Sequence, residues 1–307
     1  MNTPHASTDT IERFVRSEAS AEERQGLVRH LLSRCPECLS TAGETPEVRS
    51  FQAACGPALP AEAYDQVFAT VERQAGKVAQ ELSAERAQAA RLSQSLRDVK
   101  MEHRRIRVRN DRRFHSWGLC EHLLAESREA GREHPPRALE LAELGVEAAR
   151  RLDAGRYGAG RVADLCAAAW EAVGNARRWL LDFEGAAEAL RCAREELAKG
   201  TGDPLIEAVV ASAEAALAVE TGRFEETRDS LDRAIRVFRR VGDPYLEGRA
   251  LLLKAVTVGP SDPDRGTALL RKALDCIEKG EPGRGARMVE RFAPYLAPWG
   301  LQRRSRA

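Results

Sequence analysis

Apolar residues fall at helical spacing through most of the chain, and no segment reads as a strand. The first two runs, Thr8 to Arg16 and Ser20 to Leu32, are short, and Ser20-Ala-Glu-Glu23 has the capping-box pattern that opens a helix. Between 39 and 60 the chain carries Gly43, Pro46, Gly56, Pro57 and Pro60, which end helices and read as a linker. From Tyr64 onward, Phe68, Val71, Ala75, Val78, Leu82, Ala89, Leu92, Leu96 and Val99 recur at nearly heptad intervals. Ala75, Glu85 and Ala89 make a poor coiled-coil seam, so the pattern predicts a long amphipathic helix packed on its own domain. The expected organisation is a head at 1–40, a Pro/Gly linker at 41–62, a long helical connector at 63–114, helical repeats at 115–283, and a capping helix with a basic tail at 284–307.

The second half repeats itself. Gly202-Asp203-Pro204 recurs forty residues on as Gly242-Asp243-Pro244. In step with it, Ala186, Leu190 and Ala193 are matched by Thr227, Leu231 and Ala234, and then by Gly266, Leu270 and Ala273. Small residues at the outer places let a neighbouring helix approach closely, while the Leu fills the groove between the two. This predicts stacked helical hairpins. Trp170-x-x-Val173-Gly174-x-x-Arg177, followed by Ala186, Leu190, Ala193 and Pro204, resembles the tetratricopeptide repeat (TPR) family, with Arg177 where the family has an aromatic. A first repeat around Ala142, Val146 and Ala149 extends the resemblance to four hairpins. It implies an all-α, right-handed helical-hairpin solenoid whose first helices form a concave peptide-binding surface. By the register of Trp170, Glu171, Asn175 and Arg178 face that surface, and an Asn beside a cation suits a peptide backbone or carboxylate. Val209, Ser212 and Ala216 take the matching places in the next repeat.

Composition narrows the functional classes. Apolar residues make up 43% of the 307, mostly Ala and Leu, aromatics only 5% and charged residues 31%, a mixture that favours helix. A net charge of +1 gives no general attraction to nucleic acid or anionic membranes. Glu12, Arg13 and Arg16 stand where a signal peptide needs an apolar core, and the longest apolar stretch, Leu251 to Val258, is broken by Lys254. The expectation is a cytoplasmic protein with no membrane partner. Cys120, Cys166, Cys192 and Cys276 are scattered singly and read as reduced core residues.

The densest chemistry is His30-Leu-Leu-Ser-Arg-Cys35-Pro-Glu-Cys38. A Cys-x-x-Cys turn places two sulfurs on one ion, His30 precedes it by about one helical turn, and thiolate and imidazole are zinc's preferred donors. His5 upstream is the candidate fourth ligand, with Cys55 as a substitute. The arrangement resembles the zinc-binding anti-sigma factor family over about residues 5–40, which has an upstream His, a helix and then His-x-x-x-Cys-x-x-Cys; here the last spacing is one residue longer. The resemblance implies one structural zinc, ligands from the ends of adjacent short helices, a sigma factor among the candidate partners and, in some members, a thiol switch. No His-Glu-x-x-His motif supports hydrolysis, and no nucleophile, base and orienting group stand at a recognisable spacing, so no enzyme is expected.

Two other groups compete for attention. Six Arg lie within ten residues, at 104, 105, 107, 109, 112 and 113; with Ile106, Val108 and Phe114 among them, they read as a helix or bend whose cations are solvated or paired with Glu. Nucleic-acid binding through Arg104 to Arg113 is the alternative. His115, Cys120 and His122 share no single face well and read as part of an ordinary half-buried helix. The function expected is non-enzymatic protein or peptide binding in bacterial regulation, with a zinc head on a repeat scaffold.

Overall fold

A computed structural model describes residues 5–15, 18–32, 35–44, 61–131 and 133–280. Among these residues every regular element is a helix and there is no strand, so the fold is all-α. Cys55, most of the expected linker and the expected capping helix lie outside the described residues. The chain divides into two units, with the boundary between Lys77 and Val78.

The first unit holds α1 (Thr8–Val15), α2 (Ala21–Leu32) and α3 (Pro36–Glu44). Ser7 accepts a hydrogen bond from the Thr10 N–H at the start of α1. The capping box forms as expected: the Ser20 N–H donates to Glu23 at 2.9 Å and the Glu23 N–H to the Ser20 hydroxyl at 3.3 Å. Arg13 of α1 bonds both Asp9 and Glu23, tying α1 to α2. α3 runs four residues past the expected head boundary at 40. Pro36 opens it at a position where no N–H is needed, and the Thr41 hydroxyl donates to the Glu37 carbonyl one turn back, which accommodates a β-branched residue. Among the described residues the core of this unit is Ile11, Ala19, Leu27 and Cys38.

Helix α4 (Ala61–Arg97) is followed by α5 (Met101–Asn110) and a 3₁₀ turn, Arg112–Phe114. The expected connector is therefore broken at residues 98–100, without Gly or Pro. Arg104 makes the break tolerable: its guanidinium donates to the Val99 carbonyl at 2.8 Å and the Arg97 carbonyl at 3.0 Å, satisfying acceptors that the helix end leaves open. Residues 85–97 of α4 pack within their own unit. The Glu85 carboxylate accepts from the Gly118 N–H at 3.2 Å and the Tyr157 hydroxyl at 2.7 Å, and Arg86 pairs with Glu121 at 2.7 Å. The charged residue that spoils a coiled-coil seam is thus the one that fastens the helix down.

Four helix pairs follow: α6 (Trp117–Ala130) with α7 (Pro135–Ala149), then, after the single-turn α8 (Ala154–Tyr157), α9 (Ala159–Trp179) with α10 (Phe183–Leu197), α11 (Pro204–Glu220) with α12 (Arg228–Val241), and α13 (Pro244–Val258) with α14 (Pro263–Gly280). Within each pair the helices pack together, and the first helix of each pair touches the first helix of the next. The recurring triplets lie in these contacts: Ala186, Leu190, Ala193, Thr227, Leu231, Ala234, Gly266, Leu270 and Ala273 are all buried. Gly-Asp-Pro is a stop-and-start signal. Gly242 takes φ +74° to end α12, the Asp243 carboxylate caps the next helix at the Leu246 N–H, and Pro244 begins it. Ahead of α11, Gly202 also has a positive φ, +76°, Asp203 caps the Leu205 N–H and Pro204 begins the helix, but α10 has already ended at Leu197, five residues before the glycine. Arg177 donates to the Gly185 carbonyl across the α9–α10 turn.

The Arg-rich segment is paired. Arg104, Arg105 and Arg109 on α5 meet Glu140, Glu143 and Glu147 on α7 at 2.7, 3.5 and 3.1 Å, and Arg113 meets Asp111 at 2.7 Å. The Arg109 guanidinium holds the Glu147 carboxyl below the usual carboxylate range.

Close helix contact gives a comparative prediction. A Cβ on Gly248 would lie 2.7 Å from the Ala273 carbonyl oxygen and 2.6 Å from Ile277 Cγ1, whereas one on Gly174 would meet chiefly the Leu190 side-chain tip, at 2.9 Å. Gly248→Ala is expected to destabilise the larger unit by about 1–3 kcal/mol and Gly174→Ala by less, because a side-chain tip yields more easily than backbone. Thermal unfolding of the two variants side by side checks the order.

Candidate functional site

His5 precedes α1, His30 lies in the last turns of α2, Cys35 precedes α3 and Cys38 lies in its first turn. At the join of α2 and α3 the Cys35 N–H donates to the His30 carbonyl at 3.0 Å and the Leu39 N–H to the Cys35 carbonyl at 3.0 Å. One ligand atom from each of His5, His30, Cys35 and Cys38 lies within 4.8 Å of all the others. His5 Nδ1 stands 3.3 Å from Cys35 Sγ and 3.7 Å from Cys38 Sγ. Two thiolates and two imidazoles around a tetrahedral zinc stand roughly 3.4–3.8 Å apart, from the ordinary metal–ligand bond lengths. The donor set can therefore hold a metal ion, and its chemistry suits zinc.

The electrostatics fit metal exchange for protons. Burial pushes the Cys38 thiol above its ordinary value, while a hydrogen bond from the Ala6 N–H acts against that shift. Cys38 is completely buried and Cys35 half-buried. A thiol held protonated by burial gains from an ion that replaces its proton. The remaining thiols differ. Burial holds the Cys120 thiol far above its ordinary value and pushes Cys166 up to about 11, so both are inert packing residues. His115, Cys120 and His122 do not converge: His115 Nε2 bonds the Val108 carbonyl at 2.8 Å and His122 faces Glu126 at 3.8 Å.

The three partner-binding candidates meet, but beneath the surface. Glu171, Asn175 and Arg178 share one face of α9 and are each less than a tenth exposed. The Asn175 amide donates to Glu171, Arg178 donates to the Asn175 carbonyl at 3.1 Å, and Arg178 pairs with Glu220 of α11. Glu171 lines a small recess whose other walls include Val209, Ser212, Phe238, Leu246 and Arg249. Val209 and Ser212 belong to the matching face of the next repeat. Burial pushes the Glu171 carboxyl up, and Arg128, Arg249 and Arg178 pull it back. The Ser212 hydroxyl oxygen is buried without a hydrogen-bond partner.

Comparison with family models, with curated proteins and with solved structures finds no match to this chain. The donor set and the recess are therefore read from their own chemistry. Sequence reasoning did not single out Arg128 and Arg249, because no motif marks a lone cation on a helix face. It also passed over Glu37, whose position between the two cysteines was visible but whose contact with His5 depends on the fold.

The site predicts that purified protein carries one zinc per chain and that Cys35→Ser and Cys38→Ser each release it. Metal analysis of the three proteins checks this; equal zinc in all of them would remove the assignment.

Proposed function

We propose that the chain is a non-enzymatic protein-binding regulator of bacterial, cytoplasmic type, in which a structural zinc head is joined to a TPR-like repeat scaffold. The observation that carries this reading is the closed donor set: His5, His30, Cys35 and Cys38 supply four protein ligands, which leaves a tetrahedral ion no position for substrate or water. The reading puts a peptide partner along the first helices α9, α11 and α13, beside the half-buried Arg249; the recess at Glu171 itself has room only for water-sized groups. No helix among the described residues is long and apolar enough to cross a membrane.

A cytosolic anti-sigma factor is the second reading. It is favoured by the origin of the ligands at the ends of adjacent short helices, as the family resemblance implies. Loss of Cys35 and Cys38 as thiolates on oxidation would open the donor set, which adds a redox response to this reading. Nucleic-acid binding draws less support, because Arg104, Arg105, Arg109 and Arg113 are each engaged with a carboxylate.

Affinity capture from a bacterial lysate with wild-type protein, Arg249→Ala and Cys35→Ser separates the readings. A peptide partner held along the first helices is lost from Arg249→Ala alone, while a sigma factor held by the head is lost from Cys35→Ser alone. Recovery of the same proteins by all three would overturn both.

A further inference from the structure

His5 is held at both ring nitrogens. Nδ1 faces the two sulfurs at 3.3 and 3.7 Å, while Nε2 lies 3.0 Å from a Glu37 carboxylate oxygen. A neutral imidazole carries one N–H, and whichever nitrogen keeps the proton is the one that cannot bind a metal. A carboxylate can only accept, so contact with Glu37 requires the proton on Nε2 and leaves the lone pair of Nδ1 directed at Cys35 and Cys38. The rings of His5 and His30 stand edge to face at 5.2 Å, consistent with both imidazoles turning toward one point.

The position of Glu37 follows from the sequence around it. In Cys35-Pro36-Glu37-Cys38 the proline starts α3, and Glu37 falls in its first turn, where the helix dipole favours a carboxylate. The segment before α1 is then fixed from two sides, by the His5 ring between Glu37 and the sulfurs and by the Ala6 N–H on Cys38. The pair is exposed, His5 about half and Glu37 more. As a plain surface ion pair it would contribute little to stability.

We propose that Glu37 is a positioning residue for the metal centre: it fixes the tautomer and the orientation of His5 so that Nδ1 is the ligating atom. The inference rests on the zinc reading of the four-residue donor set. A metal-bound imidazole that donates its other N–H to a carboxylate is both oriented and made more basic, and loss of such a partner typically weakens metal binding about 10–100-fold.

The test uses the full chain, with zinc affinity measured by competition against a chromophoric chelator for wild type, Glu37→Ala, Glu37→Gln and Cys35→Ser. Glu37→Ala is expected to weaken zinc binding about tenfold or more. Glu37→Gln, whose carbonyl still accepts from Nε2–H, should retain most of the affinity. Nitrogen-15 NMR of the zinc-loaded wild type should place the His5 proton on Nε2 and the metal on Nδ1. Tight zinc binding in wild type and its loss in Cys35→Ser, together with an unaltered Glu37→Ala or with metal on Nε2, would overturn this inference and leave the zinc reading standing. Failure of wild type to bind zinc would overturn both.

Discussion

Ala186, Thr227 and Gly266 occupy the same place in three successive helix pairs, and each is there because a larger side chain would hold the paired helices apart. Gly174 and Gly248 answer them from the first helices, where a single added carbon would meet Leu190 or the backbone at Ala273. Close approach fixes the separation of the helices, and that separation lets Leu190, Leu231 and Leu270 fill the space between them. The alignment of the first helices, and with it the recess at Glu171, follows from this spacing. The larger unit is thus organised by what is missing from its side chains as much as by what they contain.

The smaller unit solves a different problem. Ile11, Ala19, Leu27 and Cys38 cannot supply the burial that a four-pair stack obtains, and a few capping bonds and the Arg13 ion pairs do not replace it. Convergence of two thiols and two imidazoles offers a constraint of another kind, because an ion bound by four side chains from separate segments would fix those segments relative to one another. Under the zinc proposal the chain has two sources of order, one depending on ligand chemistry and the other on shape.

Much of this was legible in the sequence because it depends on local pattern. The capping box at Ser20, the Gly-Asp-Pro boundaries and the small-Leu-small triplets are short-range rules, and each appears in the structure where the pattern placed it. The four residues of the donor set were legible too: His30, Cys35 and Cys38 from their spacing, and His5 as the upstream His that the family resemblance implies. What escaped was set by contacts between distant residues. The break after Arg97 carries no Gly or Pro; it is stabilised by Arg104 capping open carbonyls. The extension of α3 to Glu44 passes through Thr41 and Gly43, which propensity alone disfavours. Glu171, Asn175 and Arg178 were correctly grouped on one face, yet their burial depends on Glu220, from another helix, meeting Arg178.

The Gly-Asp-Pro boundary has an evolutionary consequence. Gly242 ends one helix, Asp243 caps the next and Pro244 begins it, within three consecutive residues. A segment copied from Asp203 to Asp243 would span one whole hairpin and bring with it the cap and the proline start of its own first helix. The forty-residue offset between the two aspartates has the form that growth by whole hairpins leaves.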